Sequence, residues 1–265
     1  MNSDPMTELS ALLNGHRSIR KYKPDPIDPA LVQQVCGDAI AGASSSGNLN
    51  SVSIVLTRDP ERKRRLYELH FEQPMVLEAP LLLTFCADWY RTRQWLRRRG
   101  ARDNFNNFIG YHVAAFDAMI LSQNVCLGFE AHGLGICYMG TTLHSMGEIA
   151  KFLELPDTCV PATTIVVGYP DENPPKRDRL PLAAFLHEEK YRVPTEKELE
   201  ATYEQREVRG WARYMASPEL KAKVEELGIT SLAQFYTSEA KYDPEVFRVD
   251  SAKLRAALEE KHFLP

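Results

Sequence analysis

The chain has 265 residues, of which 44% are hydrophobic and 26% charged, and its formal net charge is −4. This composition is ordinary for a globular protein with a large core, and the acidic balance disfavours nucleic-acid binding over the whole surface. The five scattered cysteines form no CxxC pair, which predicts free thiols. Because no secretory leader and no apolar run of membrane-spanning length is visible, we expect a cytoplasmic protein without membrane association.

The first part of the chain alternates between helical and strand patterns. A short amphipathic helix is predicted at residues 6–13, and Asp28 with Pro29 reads as the N-cap and first position of a helix that ends near residue 43. A polar loop at residues 44–50 precedes a β-branched strand at residues 51–57. A polar helix at residues 60–70 and a buried strand at residues 81–87 follow.

The central part of the chain is dominated by one apolar segment. Residues 91–102 carry six arginines and predict a solvated helix face. Residues 104–133 then predict a long helix that is apolar almost all round, so it must be buried by its own domain or by a partner subunit. Short strands are predicted at residues 136–140 and 163–170.

The composition changes after residue 192 to charged, amphipathic helical patterns at residues 195–215, 217–227 and 250–263. Each of these helices has little apolar surface of its own. We therefore predict a domain at residues 1–192 and a helical C-terminal extension at residues 193–265 that wraps this domain or a partner subunit.

Several catalytic motifs are absent from the sequence. The segment GLGICYMG is not GxGxxG, because Tyr138 stands where the third glycine belongs, and no GxxxxGK, HExxH or GxSxG occurs. The histidines show no metal-ligand spacing with cysteines or carboxylates. No catalytic side chain and no metal site is therefore predicted, which favours a cofactor as the carrier of the chemistry.

Three clusters contain groups that bind anions. In the segment GHRSIRKY, Arg17 and Arg20 would be one helical turn apart with the Ser18 hydroxyl beside them. The segment SSSGN at residues 44–48 offers hydroxyl and amide donors. In PPKRDRLP, Arg177 and Arg179 alternate on an extended segment and would face one side. Each cluster alone is also compatible with a surface segment, but their combination favours an anionic ligand.

Four segments follow one another in this order: GHRSIRKY, SSSGN, EAHGLGICYMG and VVGYPDENPPKRDRLP. Through these segments, residues 8–192 resemble the FMN-dependent nitroreductase family. The spacing is most similar to the branch of NADPH-type flavin reductases and oxygen-insensitive nitroreductases. The resemblance implies an α+β three-layer fold with a mixed, mostly antiparallel sheet flanked by helices. It also implies an intertwined homodimer formed through the long apolar helix, with FMN bound at the dimer interface.

The activity implied by the resemblance is a ping-pong oxidoreductase reaction. NADPH or NADH would be the transient reductant, and nitroaromatics, quinones or free flavin would be the small-molecule electron acceptors. Two alternatives stay open within flavoproteins: a different chemistry on the same fold, such as flavin fragmentation, dehalogenation or azoline oxidation, or non-catalytic flavin binding. A third alternative is an anion or nucleic-acid binder that acts through residues 91–102, which the overall acidity disfavours.

The resemblance also implies which residues bind FMN. Those at the phosphate end would be His16, Arg17, Ser18 and Arg20, completed by Arg177 and Arg179. Those that meet the flavin, commonly from the partner subunit, would be Ser44, Ser45, Ser46 and Asn48. Those at the ring would be Gln73 at the pyrimidine edge and Tyr138, Met139 and Gly140 along the isoalloxazine.

The sequence departs from the family pattern at two positions. Pro74 falls where a lysine often lies near the flavin pyrimidine, and the absence of that lysine would change the reduction potential of the flavin. Thr141 replaces a second glycine after Gly140 and would narrow the pocket over the ring.

Nothing in the three clusters selects NADPH over NADH, because that choice needs a cation for the 2′-phosphate. Residues 91–102 are one candidate. The other is a set of arginines that recur at helical spacing, namely Arg206, Arg209 and Arg213. A solvated helix face paired with Glu204 and Glu207 is the alternative interpretation of this set.

Overall fold

The central element is a four-stranded antiparallel sheet in the order β1-β2-β4-β3, seen in a computed structural model that describes residues 7–264. Its strands are β1 (Val52–Thr57), β2 (Leu81–Asp88), β3 (Gly135–Met139) and β4 (Cys159–Gly168). The predicted strands are therefore present, but β4 begins at Cys159 rather than at residue 163. It accommodates Pro161 because Pro161 pairs with Cys86 at a register shift, where a missing N–H is tolerated.

The helices cover both faces of this sheet and continue into the C-terminal part. In chain order they are α1 (Glu8–Gly15), α2 (Pro29–Gly42), α3 (Pro60–Leu69), α4 (Met75–Glu78), α5 (Tyr90–Arg98), α6 (Phe108–Ala131), α7 (Met146–Phe152), α8 (Glu196–Met215), α9 (Pro218–Glu226), α10 (Leu232–Tyr236) and α11 (Pro244–Glu260). Helices α4, α7 and α10 were not predicted from the sequence. Of the predicted first helix, Met6 lies outside the described residues. Among residues 7–264, no helix combines the length and apolar character needed to cross a membrane.

Two hydrophobic cores lie on opposite faces of the sheet. Alternate β2 residues point to opposite sides, so Leu83 packs with Phe129 of α6 whereas Leu82 packs with Leu66 of α3. Helices α2 and α6 cover the first face, and α3, α4 and α7 cover the second. This arrangement confirms the predicted α+β three-layer fold with its mostly antiparallel sheet.

Helix α6 is the long apolar helix, and it leaves part of its apolar surface uncovered. It begins at Phe108, later than predicted, because the Asn107 side chain accepts a hydrogen bond from the Gly110 N–H (2.9 Å) and caps the helix. Buried residues on one side include Phe129, but Ile109 is 76% exposed and Phe116 is 63% exposed. An exposed apolar face of this kind is typical of an interaction surface.

The chain divides into two compact units, Met1–Lys176 with Asp250–Pro265, and Arg177–Val249. In the first unit, Leu258 and Phe263 pack in one cluster with Trp89. The second unit has its own small core around Leu232 and Phe235. The division predicted at residue 192 stays a prediction.

The arginine-rich segment is only partly the solvated face that was predicted. Arg93 is 7% exposed, and its guanidinium forms an ion pair with Asp103 at 2.8 Å. Arg91 donates hydrogen bonds to the carbonyl oxygens of Asn50 (2.8 Å) and Val52 (3.1 Å). The prediction is therefore wrong for Arg93, because this side chain serves a structural ion pair rather than solvent.

Candidate functional site

The segment after α1 lies along the free edge of β3. The Ile19 N–H donates to the Ile136 carbonyl at 2.9 Å, and the Lys23 N–H donates to the Tyr169 carbonyl at 2.9 Å. Gly135 allows this close approach, because a Cβ at that position would lie 2.5 Å from Ile19 Cγ1. The cationic segment of residues 16–21 is thus held in place by backbone contacts.

A cavity of about 430 Å³ opens beside this segment and is lined by residues that include His16, Arg17, Glu130 and Glu172. His16 Nδ1 lies 2.6 Å from Glu130 Oε1. Arg17 donates through Nη1 to the Gly15 carbonyl at 3.0 Å, whereas its buried Nε has no partner among the described residues. A buried guanidinium N–H without a partner is costly, so this atom marks an unsatisfied donor beside the cavity.

Two consecutive backbone N–H groups at this edge bind an anionic oxygen. Glu172 Oε1 accepts hydrogen bonds from the N–H groups of Arg20 (2.5 Å) and Lys21 (3.2 Å). The Arg20 guanidinium is exposed and donates a hydrogen bond to the Ser18 carbonyl at 3.4 Å. A carboxylate of the protein therefore occupies donors that suit an anion in general, and the phosphate end predicted at this edge stays a prediction.

The serine-rich loop at residues 44–50 is organised by a carboxylate that sequence reasoning missed. Asp117 of α6 is 4% exposed and accepts hydrogen bonds from Ser45 Oγ (2.6 Å), the Ser46 N–H (3.1 Å) and Ser51 Oγ (2.7 Å). The only sequence signal for this role is an acidic residue inside an apolar helix. Ser44, Ser45 and Asp117 also line a cavity of about 450 Å³.

Side chains at the end of β3 point into the protein. The Tyr138 hydroxyl lies 2.9 Å from Ser122 Oγ, and burial raises the pKa of Tyr138. Met139 is 1% exposed and packs in the opposite core. Beyond them Gly140 is exposed, and a Cβ there would meet no atom within 4 Å. The backbone at Gly140 is therefore accessible, and its contact with a flavin ring stays a prediction.

The loop that carries Gln73 is connected to the same turn through His70. This histidine is fully buried, and its Nδ1 lies 2.8 Å from Thr141 Oγ1. Burial lowers the pKa of His70 to about 4. Sequence reasoning placed His70 only at the end of a polar helix and gave it no role.

The structure places most of the predicted residues in three separate groups. His16, Arg17, Ser18 and Arg20 lie at the β3 edge, the serine loop lies on Asp117, and the Gln73 loop is joined to the Gly140 turn. Arg177 and Arg179 belong to the second unit, and their role at the phosphate stays a prediction. Among the described residues, no group of three His, Cys, Asp or Glu side chains could hold a metal ion.

The structure thus combines an antiparallel sheet covered by helices on both faces with a cavity at the polar edge of β3. The chain belongs to the nitroreductase family, whose model matches residues 13–169, and it is an oxidoreductase. The predicted family membership is thereby confirmed.

Individual relatives agree with this assignment. The FMN reductase (NADPH) of Bacillus subtilis is 33% identical over 190 residues, which cover 71% of this chain and 76% of that protein. A crystal structure from Bacteroides fragilis matches with a TM-score of 0.86 and 35% identity over 96% of this chain and 100% of that one. The NADPH:FMN oxidoreductase of Vibrio harveyi, solved with NAD⁺, matches with a TM-score of 0.70 and 26% identity over 89% and 100%.

Proposed function

We propose that this protein is an FMN-dependent NAD(P)H oxidoreductase that reduces nitroaromatics, quinones or free flavin by a ping-pong mechanism. One observation carries the proposal: the consecutive N–H groups of Arg20 and Lys21 already bind a carboxylate oxygen, that of Glu172, and Glu172 lines a cavity together with His16 and Arg17. The relatives named FMN reductase (NADPH) and NADPH-flavin oxidoreductase support the same cofactors.

The residues at the β3 edge fit the phosphate of FMN. A phosphate monoester carries nearly two negative charges at neutral pH, and arginine matches it with charge-assisted hydrogen bonds. Arg17 and Arg20 would hold this group, with the Ser18 hydroxyl and His16 beside them. Glu172 would have to release the N–H groups of Arg20 and Lys21, so its carboxylate competes with the phosphate.

The turn at Gly140 fits the flavin ring, since open space surrounds that position. When bound, FMN would supply the ring atom N5 that accepts hydride from the nicotinamide and the electrons for the acceptor. The protein would orient the ring through the Gly140 backbone and the Gln73 side chain. No side chain has to serve as a general acid or base, in line with the absence of a catalytic motif.

The exposed face of α6 supports a homodimer. Phe108, Ile109 and Phe116 are 55%, 76% and 63% exposed, which is unusual for three large apolar side chains of one helix. We propose that a second copy of the chain covers this face and presents its serine loop at residues 44–50 to the flavin. The location of the protein in the cytoplasm likewise stays a proposal.

We propose two candidates for the cation that would select NADPH by binding its 2′-phosphate, namely residues 91–102 and the arginines of α8. Arg213 lies 4.0 Å from Asp178 and its guanidinium stacks on Tyr214 at 5.3 Å, so it already has partners. Glu207, which was a possible partner of the arginine face, instead accepts a hydrogen bond from the Leu232 N–H. Arg206→Ala and Arg209→Ala should each lower the kcat/KM ratio of NADPH to NADH more than about threefold if they bind the 2′-phosphate.

The proposed function is tested on the purified protein. We expect the visible absorption of an oxidised flavin, about one FMN per chain after reconstitution, and anaerobic bleaching by NADPH or NADH. Nitrofurazone, menadione and free FMN would then restore the absorption. A protein that takes up no FMN overturns the proposal. A protein that binds FMN but is reduced slowly by both nicotinamides favours a different flavin chemistry or a non-catalytic flavin protein.

A further inference from the structure

A buried side-chain pair connects two segments that are far apart in sequence. His70 has no exposed surface, and its Nδ1 lies 2.8 Å from Thr141 Oγ1 across a separation of 71 residues. The other ring nitrogen, Nε2, is buried without a partner among the described residues. A fully buried imidazole with one unpaired nitrogen is uncommon in proteins. We therefore ask what the remaining bond, from Nδ1 to Thr141, does for the structure.

The loop after His70 is held in a strained conformation. Helix α3 ends at Leu69, and the Glu72 N–H donates back to the Tyr67 carbonyl at 2.9 Å. Phe71 and Glu72 then have φ of 57° and 55°, the left-handed region that side chains other than glycine rarely adopt. Two such residues in succession persist only where surrounding contacts determine the conformation. Gln73 follows directly.

The other partner belongs to the turn at the end of β3. Thr142 Oγ1 donates to the Met139 carbonyl at 2.8 Å, and the Leu143 N–H donates to the Gly140 carbonyl at 3.3 Å, so these bonds stay within the turn. Within the described part of the chain, the Thr141 hydroxyl by contrast reaches another segment, at His70. Thr141 is the residue that stands where the family resemblance leads one to expect a second glycine.

We propose that His70 is a positioning residue for the flavin site, which it holds together by binding the Thr141 hydroxyl through Nδ1. The bond fixes the loop that carries Gln73 relative to the backbone at Gly140, the two segments assigned above to the flavin ring. In this interpretation Thr141 and His70 act as one pair. Thr141 stands where the family resemblance predicts a glycine, and its additional hydroxyl is bound by the histidine. The inference rests on the proposed function.

The protonation state of the ring suits this role. Since burial lowers the pKa of His70 to about 4, the imidazole is neutral at physiological pH, with one donor and one acceptor nitrogen. The neighbouring His144 ring contacts the Phe71 ring at a centroid distance of 5.9 Å. Its Nδ1 lies 2.6 Å from Asp250 Oδ2. Near neutral pH the His70–Thr141 bond therefore persists without a change in charge.

Substitutions can test which ring nitrogen matters. His70→Asn keeps a polar group near the position of Nδ1, His70→Gln places one near Nε2, and His70→Leu removes both. Thr141→Ser keeps the hydroxyl, whereas Thr141→Val removes it at nearly constant shape. His262→Asn is the matched control, because this exposed histidine also uses Nδ1, toward Asp157 at 3.0 Å, but lies on the C-terminal segment.

The readouts are the Kd for FMN, the visible circular dichroism and reduction potential of bound FMN, and kcat and KM, each beside a melting temperature. We expect His70→Leu and Thr141→Val to weaken FMN binding about five- to tenfold and to change the flavin spectrum, as for one lost hydrogen bond. The double variant should equal either single variant. His70→Asn and Thr141→Ser should stay within about twofold of the wild type, as should His262→Asn.

Three results would overturn the inference. One is additive losses in the double variant, and another is rescue by His70→Gln but not by His70→Asn. The third is a fall in melting temperature in His70→Leu and Thr141→Val with unchanged flavin spectrum, potential and Kd. If His70→Leu does not fold, the comparison of Thr141→Val with Thr141→Ser gives the answer. A wild-type protein that binds no FMN refutes the proposed function instead, so the two failures are distinguishable.

Discussion

Asp117→Ala is expected to destabilise the first unit strongly, because the carboxylate is the common acceptor for the serine loop. Besides Ser45 Oγ and the Ser46 N–H, it accepts from Ser51 Oγ at 2.7 Å and from the Ser51 N–H at 3.3 Å. Ser51 has no exposed surface, so its two donors would lose their partner without access to bulk water. The donors of Ser45 and Ser46 lie nearer to solvent.

The magnitude follows from these two classes of donor. Each buried donor left unpaired costs about 1–3 kcal/mol, while removal of a buried charge returns part of that cost. We therefore expect the free energy of unfolding to fall by about 3 kcal/mol. Asp117→Asn should lose less, since one acceptor oxygen remains.

Urea unfolding followed by circular dichroism at fixed protein concentration measures this loss. The control is Glu61→Ala, because Glu61 is 82% exposed and lies 3.9 Å from Arg64, a pair that contributes less than about 0.5 kcal/mol. Combining Asp117→Ala with Ser51→Ala should cost less than the sum of the two single changes. An Asp117→Ala protein within about 0.5 kcal/mol of the wild type would refute the reasoning.

Three further predictions concern the cofactor, the dimer and pH. Arg20→Ala should weaken FMN binding about ten- to a hundredfold through a lost charge-assisted contact; full flavin retention after extensive dialysis contradicts this. Phe116→Glu should shift sedimentation toward a 30.1 kDa monomer, and an unchanged dimer or a monomeric wild type counts against the α6 interface. Since burial lowers the pKa of His70 from 6.5 to about 4, the unfolded state binds more protons in that window, and stability should fall as pH drops from about 6.5 to 4. His70→Asn should flatten this dependence, and an identical pH profile would contradict it.

Local chemistry was sufficient to predict most of the secondary structure. Asp28 caps α2 by accepting a hydrogen bond from the Ala30 N–H at 2.9 Å, and the eight residues of β2 are all buried, as their apolar run indicates. These features depend on neighbours in sequence, so their spacing predicts them. The cationic segment could be recognised for the same reason, since Arg17 and Arg20 lie within one short stretch, and its role in binding an anion stays a prediction.

Short helices and the burial of a cation were not predicted from the sequence, because tertiary packing determines both. Helix α7 has seven residues and is stabilised by Ile149 and Ala150, which are buried against the core of the second sheet face. An isolated helix of this length would be marginal, so its pattern carries little information. Arg93 lies in an arginine-rich segment that reads as solvated, and only the fold places it against Asp103 and out of solvent.

The amino-acid sequence by itself determined the family and, through the family resemblance, the three-layer architecture, since each motif that carries the resemblance lies within a short stretch of the chain. Only the tertiary structure decided the partners of Asp117 and His70. The hydrogen bonds of Asp117 join it to serines that are 66 to 72 positions away in the sequence. The bond of His70 joins it to Thr141, which is 71 positions away. A buried carboxylate or imidazole has no periodicity of its own, and its effect depends on which distant donor or acceptor the packed core brings within hydrogen-bonding distance.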